Sequence, residues 1–371
     1  MAVHPCTARE GPSQKTYWIY GDLLQIPNRC RPTRQMSRLL CRGQRDVVWK
    51  PVPVSDLLTP DGIAIVRRLA QGEVVPKAGL ACANEVAAWL EPRSLRGSAA
   101  AEFRLERQLE LLDAAVVKAQ LAASTLNSLA SLEVLWSATS TNTRLLDAFE
   151  RKDMRGVVIT AEEQTAGKGR RGRTWVSPFG RNLYVSLGWT LPRQGPALDG
   201  LSLVVGMAIA SSLRDMGVRD VGLKWPNDVL LGGGKLAGIL IEIGALSDVV
   251  PIVVGFGVNL AMSDSEASRI DQKWSALGEV LDMSRNRLLG RLLDQVFNRL
   301  IRFEGSGFGP FRDEWDGFDL YRGERVVIKL GDRSIEGVNC GVDDHGNLQL
   351  RADDGEVRSY NAGEVSLRLQ I

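Results

Sequence analysis

The stretch GVVITAEEQTAGKGRRGRTWVSPFGRNLYVSLGW, residues 156–189, carries the reading of the whole chain. GVVITAEE has the composition of a buried strand, and RNLYVSLGW alternates like a second one. In that second strand Leu183, Val185, Leu187 and Trp189 share one face, and Asn182, Tyr184, Ser186 and Gly188 share the other. A small, polar face on a strand suits a pocket floor. Between the strands lies GKGRRGR, residues 167–173, with four cations, three glycines and no acid. Glycines admit positive φ and close approach of backbone to a ligand, and the cations supply charge. Fixing each such residue costs roughly 1–2 kcal/mol, so an anion that orders the loop must contribute heavily. A solvated surface loop or a nucleic-acid tail is the plainer reading of a basic glycine-rich segment. Position argues for a small anion instead: core patterning resumes at once after the loop, so the charge sits at a sheet end, where ligands bind.

Two further stretches fit beside it. KWPND, residues 224–228, is followed by GGGK and LAGILIE. Lys224 closes a strand, Pro226 stiffens the turn, Asn227 and Asp228 add an amide and a carboxylate, and Lys235 opens the next strand. A carboxylate beside a phosphate site is a natural Mg²⁺ ligand; an ordinary hairpin with an Asn-Asp turn is the competing reading. STSTN ends with Ser140, Thr141 and Asn142, small polar side chains suited to a ligand carbonyl or ureido group. Capping the helix TRLLDAF is the alternative use of such residues. Gln164 ends its strand, where it can bond a neutral polar ligand or sit at the surface.

The rest of the chain frames these segments. Residues 1–60 hold seven of fifteen prolines, three of five cysteines and nine Lys or Arg against four Asp or Glu, which reads as a disordered extension with Met36 as a candidate internal start. Residues 61–110 read as a small helical unit: GIAIVRRLAQG stops at Gly72, and NEVAAWLEP stops at Pro92. EFRLERQLELLD suggests a strand entering a linker, and Ala114–Leu129 a helix. SLEVLWSA, VGLKW, KLAGILIEIG and PIVVGFGVNL read as strands, LSLVVGMAIASSLRDMG as a buried helix, and residues 287–303 as an amphipathic helix. After Tyr321, five short strands separated by GD, DDHGN, DDG and NAG suggest a small closed barrel.

Composition narrows the classes. A net charge of +2 and 44% hydrophobic residues describe a globular protein with no whole-chain pull toward nucleic acid. Five cysteines without a C-x-x-C pair argue against disulfides or a zinc site, and read as reduced thiols in the cytoplasm. The longest apolar runs are too short to span a bilayer. The only histidines, His4 and His345, lie in the tail and in a turn, so no Ser-His-Asp or Cys-His nucleophile can be assembled. Catalysis here must rest on electrostatic positioning.

Taken in order, STN, EEQTAGKGRRGRTWVSPFGRNLYVSL, KWPND, KLAGILIE and GFGVN resemble the bacterial biotin protein ligases, the biotin–acetyl-CoA-carboxylase ligases, from about Leu132 to Ile371. The resemblance implies an α+β chain. Its catalytic domain, residues 112–318, is a mixed sheet with packed helices. An SH3-like barrel follows at 320–371, and a degenerate winged-helix-like unit precedes at 61–110. It implies that biotin and ATP give biotinyl-5′-AMP, which then passes biotin to a lysine of the biotin carboxyl carrier protein of acetyl-CoA carboxylase. By position, Ser140, Thr141, Asn142, Gln164, Lys168, Gly169, Arg170 and Lys235 match biotin contacts, with Lys235 and Arg170 at the reacting centre. Arg171, Arg173, Trp175, Lys224, Asn227 and Asn259 match the ATP side, and Asp228 the Mg²⁺ ligand. Lys168 departs from the arginine common in close relatives, keeping charge but losing the bidentate fork. A lipoate protein ligase is the runner-up enzyme. A homodimer formed on adenylate binding and operator DNA are further partners the family implies. For DNA, Pro92 interrupts the segment where a recognition helix belongs, and residues 62–105 carry six cations against four acids.

Overall fold

The computed structural model describes two strands near the start and residues 58–371. Excepted are 94, 96–100, 106–107, 151–152, 196, 246–247, 331–332, 362–364 and 370–371. Contacts divide the chain into Met1–Leu57 and Leu58–Ile371. In the first unit β1 (Lys15–Ile19) pairs antiparallel with β2 (Asp22–Ile26). The remainder of the expected extension, with Cys6, Cys30, Cys41 and Met36, lies outside the described residues.

The second unit begins with α1 (Pro60–Ala70). Thr59 Oγ1 accepts from the Gly62 amide at 3.2 Å, Pro60 opens the first turn, and Gly72 follows the end at φ +88°. These are the start and stop signals in the sequence. After β3 (Val75–Pro76) and α2 (Ala83–Leu90) comes a short 3₁₀ turn at Glu91–Arg93. The expected strand over EFRLERQLELLD contracts to β4 (Glu102–Phe103), which pairs with β3. Beyond it, backbone donors find partners outside a ladder: Leu109 N–H donates to Ala70 C=O at 3.3 Å, and Leu112 N–H to the Glu162 carboxylate at 2.5 Å. The expected helix 114–129 is broken into α3 (Ala114–Lys118) and α4 (Ala123–Ser128). Asp294 accepts from the Ala122 amide at 3.0 Å and so starts α4 afresh.

A seven-stranded sheet follows. Its elements are β5 (Ser131–Leu135), α5 (Thr141–Phe149), β6 (Val157–Ala161), β7 (Leu183–Pro192), α6 (Leu201–Asp215), β8 (Val221–Lys224), β9 (Asp228–Leu231), β10 (Gly234–Ile243) and β11 (Val249–Val258). The spatial order is β5-β6-β7-β11-β10-β9-β8. Only β5 and β6 run parallel, because α5 carries the chain back between them; every other neighbour is antiparallel. The short α7 (Asp264–Ala267) and the long α8 (Arg285–Ser306) come next. Leu183, Val185, Leu187 and Trp189 of β7 are buried in one core with α6 and α8, and Trp189 meets Phe297 edge-on at 5.9 Å. α6 is apolar nearly all round because sheet and α8 enclose it. The opposite face of β7 meets the start of α5.

After α9 (Arg312–Asp316), the chain seals the sheet edge: Leu223 N–H donates to Phe318 C=O at 2.8 Å, and Leu320 N–H to Leu223 C=O at 3.1 Å. The five expected C-terminal strands form β12 (Arg325–Leu330), β13 (Arg333–Val342), β14 (Leu348–Arg351), β15 (Val357–Tyr360) and β16 (Val365–Leu369). They make one antiparallel sheet in the order β15-β14-β13-β12-β16. Buried Trp225 ties that sheet to the seven-stranded one, its indole N–H donating to Gly346 C=O at 3.1 Å. No helix among the described residues is long and apolar enough to cross a membrane.

Glu110 fixes the start of α8. Its carboxylate accepts from Ser284 Oγ, the Arg285 and Asn286 amides, and Asn286 Nδ2. Burial by itself raises its pKa; these donors outweigh burial and hold the carboxyl below its ordinary 4.5. A carboxyl with a lowered folded pKa adds stability above its unfolded pKa, and that stability is lost as pH falls through the folded value. Glu110→Gln is therefore expected to lower the thermal midpoint at neutral pH by about 2 °C. The gap should narrow as pH falls below about 4.5, measured by circular-dichroism melts across pH.

Candidate functional site

The chain leaves β5 and reaches Ser140, whose Oγ accepts from the Thr143 amide at 3.4 Å and caps α5. The competing capping role is thus real, and the same residue also lines a cavity. Thr141 and Asn142 occupy the first turn of α5, both buried. Beneath them the fully buried Ser186 hydroxyl lies 2.7 Å from Thr141 Oγ1 and 2.5 Å from Asn142 Oδ1. Asn142 Nδ2 donates to Glu242 Oε2 at 2.8 Å and to Leu240 C=O at 3.3 Å. Gln164 points inward, not to the surface. Its Oε1 accepts from the Thr141 amide at 2.9 Å, and its Nε2 donates to Ser177 Oγ at 3.0 Å. Such a network holds each polar head in one orientation at a cavity wall.

Ser186 therefore supports α5 and does not form the floor. Glycines on β10 and β11 do that. A Cβ on Gly255 would lie 2.1 Å from Asn142 Oδ1, and one on Gly257 would lie 2.5 Å from the Trp175 indole. The alternation Gly255-Phe256-Gly257 strips one strand face of side chains and lets α5 and the basic loop descend onto it. That spacing was the signal in the sequence that could have marked both glycines.

The basic loop is a tight turn. Gly169 N–H donates to Arg173 C=O at 2.7 Å, and Lys168 bridges Thr174. Gly172 takes the left-handed conformation expected of it, at φ +70°, but Arg171 takes the other, at φ 60° and ψ 34°. A non-glycine residue held there stores strain, a feature common at ligand clamps. Gly167 serves close approach: a Cβ there would lie 2.5 Å from Trp175 O.

The KWPND segment does form a hairpin, as the plainer reading had it: β8 pairs with β9, Lys224 opposite Asp228. The Trp225–Pro226 peptide is cis. The hairpin also gathers charge. Lys235 Nζ lies 2.7 Å from Asp228 Oδ1, and Lys224 Nζ 3.4 Å from Oδ2. Arg170 Nη1 donates to Asn227 Oδ1 at 3.2 Å, and Lys235 Nζ stands 5.4 Å from the Trp175 ring centroid. Burial, then the neighbouring Arg171, lower the Arg170 pKa, with Asp228 opposing. The guanidinium stays charged, and an anion gains by joining it. Asn259 Nδ2 donates to Lys235 C=O at 3.2 Å.

These residues line two adjoining cavities. One carries Ser140, Thr141, Asn142, Gln164 and Lys168; the other carries Arg171, Arg173, Lys224, Asp228 and Asn259. Gly169, Arg170, Trp175, Asn227 and Lys235 belong to both. The second cavity also holds Arg269, Asp271, Gln272 and Trp274, which sequence reasoning missed. Lys235 anchors that segment, donating its amide to Lys273 C=O and accepting from Ser275 N–H, each at 3.0 Å. A tryptophan in a polar stretch was the only local hint. Around this cleft six cations face two carboxylates, Asp228 and Asp271. Among the described residues no group of three or more His, Cys, Asp or Glu could hold a metal ion. With so few carboxylates, Mg²⁺ fits here only with phosphate oxygens completing its shell.

Residues 134–259 match the biotin/lipoate A/B protein ligase family, and residues 322–368 match the biotin protein ligase C terminal domain. The bifunctional ligase/repressor BirA of Escherichia coli K12 is 41% identical over 270 residues, covering 72% of this chain and 81% of the relative. The biotin–[acetyl-CoA-carboxylase] ligase of Mycobacterium tuberculosis is 35% identical over 242 residues, 63% of this chain and 88% of the relative. Among solved structures, biotin protein ligase from Aquifex aeolicus in complex with biotin and ATP superposes with a TM-score of 0.56 at 30% identity. The match covers 64% of this chain and 99% of that one. With a relative of that identity covered over four-fifths of its length, the chain belongs to the biotin protein ligases.

Proposed function

We propose that this protein joins biotin to ATP, forming biotinyl-5′-AMP and pyrophosphate, and then transfers biotin to a lysine of the carrier domain of acetyl-CoA carboxylase. The observation that carries the reading is the sharing of Lys235 and Arg170 between the two cavities. Hydroxyl and amide groups at the inner end of one pocket suit the ureido ring, and a cationic cleft suits a triphosphate; the shared residues stand where the two ligands meet.

The chemistry follows from charge. A carboxylate approaching an α-phosphate is repelled by about 4 kcal/mol at 4 Å for an effective dielectric near 20. Lys235 and Arg170 offset that repulsion and stabilise the charge that builds as the carboxylate oxygen attacks phosphorus. Lys235 is held ready by Asp228 and by the Trp175 ring face. Asp228, with the phosphates, would hold Mg²⁺, whose charge neutralises the polyphosphate. Pyrophosphate leaves along the face of Arg171, Arg173 and Arg269. The basic loop, seated over both cavities, excludes water from the mixed anhydride. A carrier lysine amine then attacks the acyl carbon, and AMP leaves.

Biotin is favoured over lipoate because the small C-terminal sheet matches a domain model specific to biotin protein ligases. Operator binding in addition is the second reading: the Escherichia coli relative is named a bifunctional ligase/repressor, and residues 94 and 96–100, where a recognition helix would belong, lie outside the described residues. The unpaired Cys82 and Cys340 suit a reducing cytoplasm.

ATP–pyrophosphate exchange should depend on biotin and not on lipoate, and mass spectrometry should find biotin on one carrier lysine only when ATP is supplied. Lys235→Ala is expected to lower exchange about 100-fold or more while leaving the circular-dichroism spectrum unchanged; normal exchange would remove Lys235 from the mechanism. Arg170→Gly should let adenylate escape, read as increased biotin on bystander proteins in a streptavidin blot. Gly255→Ala should raise the KM for biotin far more than that for ATP, since its methyl would collide with Asn142.

A further inference from the structure

The small N-terminal unit meets the wall of the biotin cavity through an ion pair and an aromatic cluster. Arg93 grips Glu163 with a two-pronged ion pair, Nε to Oε2 at 2.9 Å and Nη2 to Oε1 at 2.7 Å. Both side chains are largely buried, at 15% and 9% exposure. Arg93 is itself fixed, its Nη1 donating to Trp89 C=O at 2.9 Å and its guanidinium lying 4.1 Å from the Trp89 ring centroid. Trp89 in turn packs edge-on to Phe179 at 4.8 Å, and Phe179 lies 4.8 Å from Trp136. Trp136 leads into the segment that ends in Ser140, Thr141 and Asn142.

Glu163 is the residue before Gln164. Its carbonyl accepts from Ala138 N–H at 3.2 Å, and Thr165 N–H donates to Ala138 C=O at 2.9 Å. Those bonds set the register between the two segments that supply Gln164 and Thr141. So the side chain of Glu163 is held by the N-terminal unit while its backbone holds the cavity wall. We infer that Arg93 is a positioning residue for the biotin cavity, acting through Glu163, and that residues 58–93 brace this site. The inference rests on the ligase reading above. Without Arg93, that largely buried carboxylate is left unpaired and must turn toward water. Turning it strains the Ala138–Glu163 bond and carries Gln164 away from Thr141. Arg93 bonds to Glu163 and Trp89, neither of which lines the nucleotide cleft, so the effect falls first on biotin. By linkage the coupling is mutual: if the unit tightens the biotin cavity, biotin must stabilise the unit by the same free energy.

The test is the KM for each substrate in ATP–pyrophosphate exchange. Arg93→Ala is expected to raise the KM for biotin about tenfold and leave that for ATP unchanged. Arg93→Lys should lie between, keeping charge without the fork, and the exchanged pair Arg93→Glu with Glu163→Arg should recover most of the loss. In the unsubstituted protein, biotin should slow amide hydrogen exchange in residues 60–93. Equal rises in both KM values, no rise in either, or unchanged exchange in residues 60–93 each overturn the brace while the ligase reading stands. No biotin-dependent pyrophosphate exchange in the unsubstituted protein overturns both.

Discussion

Lys235 stands between two cavities with Asp228 at 2.7 Å, and the rest of the site is arranged to keep that ammonium group there. Its backbone is pinned on both sides, by Lys273 and Ser275 in the outer segment and by Asn259 at the end of β11. Its side chain lies over Trp175, which descends onto Gly257 only because no Cβ intervenes. A cation so placed needs a nearby counter-charge until an anionic ligand arrives, and Asp228 supplies it from the same hairpin that carries Lys224. Six cations crowd one cleft in this way without any long-range charge excess in the chain. Concentrated positive charge of this kind is tolerable at a sheet end, where solvent screens it, and becomes effective when a ligand displaces the water.

The neighbouring cavity obeys a different constraint. Its hydroxyl and amide groups are buried or half-buried and need partners, and Thr141, Asn142, Gln164, Ser177 and Ser186 pair largely with one another. Loss of one partner would leave the others unsatisfied at a cost of about 1–3 kcal/mol each. Mutual satisfaction makes the wall stiff, and stiffness is what a small neutral ring requires for recognition.

Buried ion pairs join these walls to the body. Arg285 reaches Glu162 Oε2 at 2.9 Å and Asn182 C=O at 2.8 Å, and Asn182 Oδ1 accepts from the Leu260 and Ala261 amides. The end of β6, the start of β7 and the segment after β11 are thereby locked to α8. Glu162 and Glu163, adjacent in the chain, face opposite supports: the first α8, the second the N-terminal unit. Buried pairs contribute little net stability but strongly penalise any arrangement that separates them, so they set where the loops lie more than how firmly the protein folds.

Local pattern alone determined much of this protein. Alternation in RNLYVSLGW and the apolar stripes of residues 287–303 reported which faces are buried, because burial is read residue by residue at periods of 2 and 3.6. The order of the glycine-rich and lysine-bearing segments pointed to the ligand classes, because charge and backbone freedom are properties of short stretches. Tertiary structure decided the rest. Ser140 is both a cap and a cavity residue, and its sequence could argue only for one at a time. Two-residue β4 and the broken α3–α4 arise from partners at Ala70, Glu162 and Asp294, and a strand or helix pattern cannot see such distant acceptors. The same holds for Trp274 against Lys235 and for Arg93 against Glu163: seventy residues separate that last pair, and only the packing of Trp89 on Phe179 brings the two charges into contact.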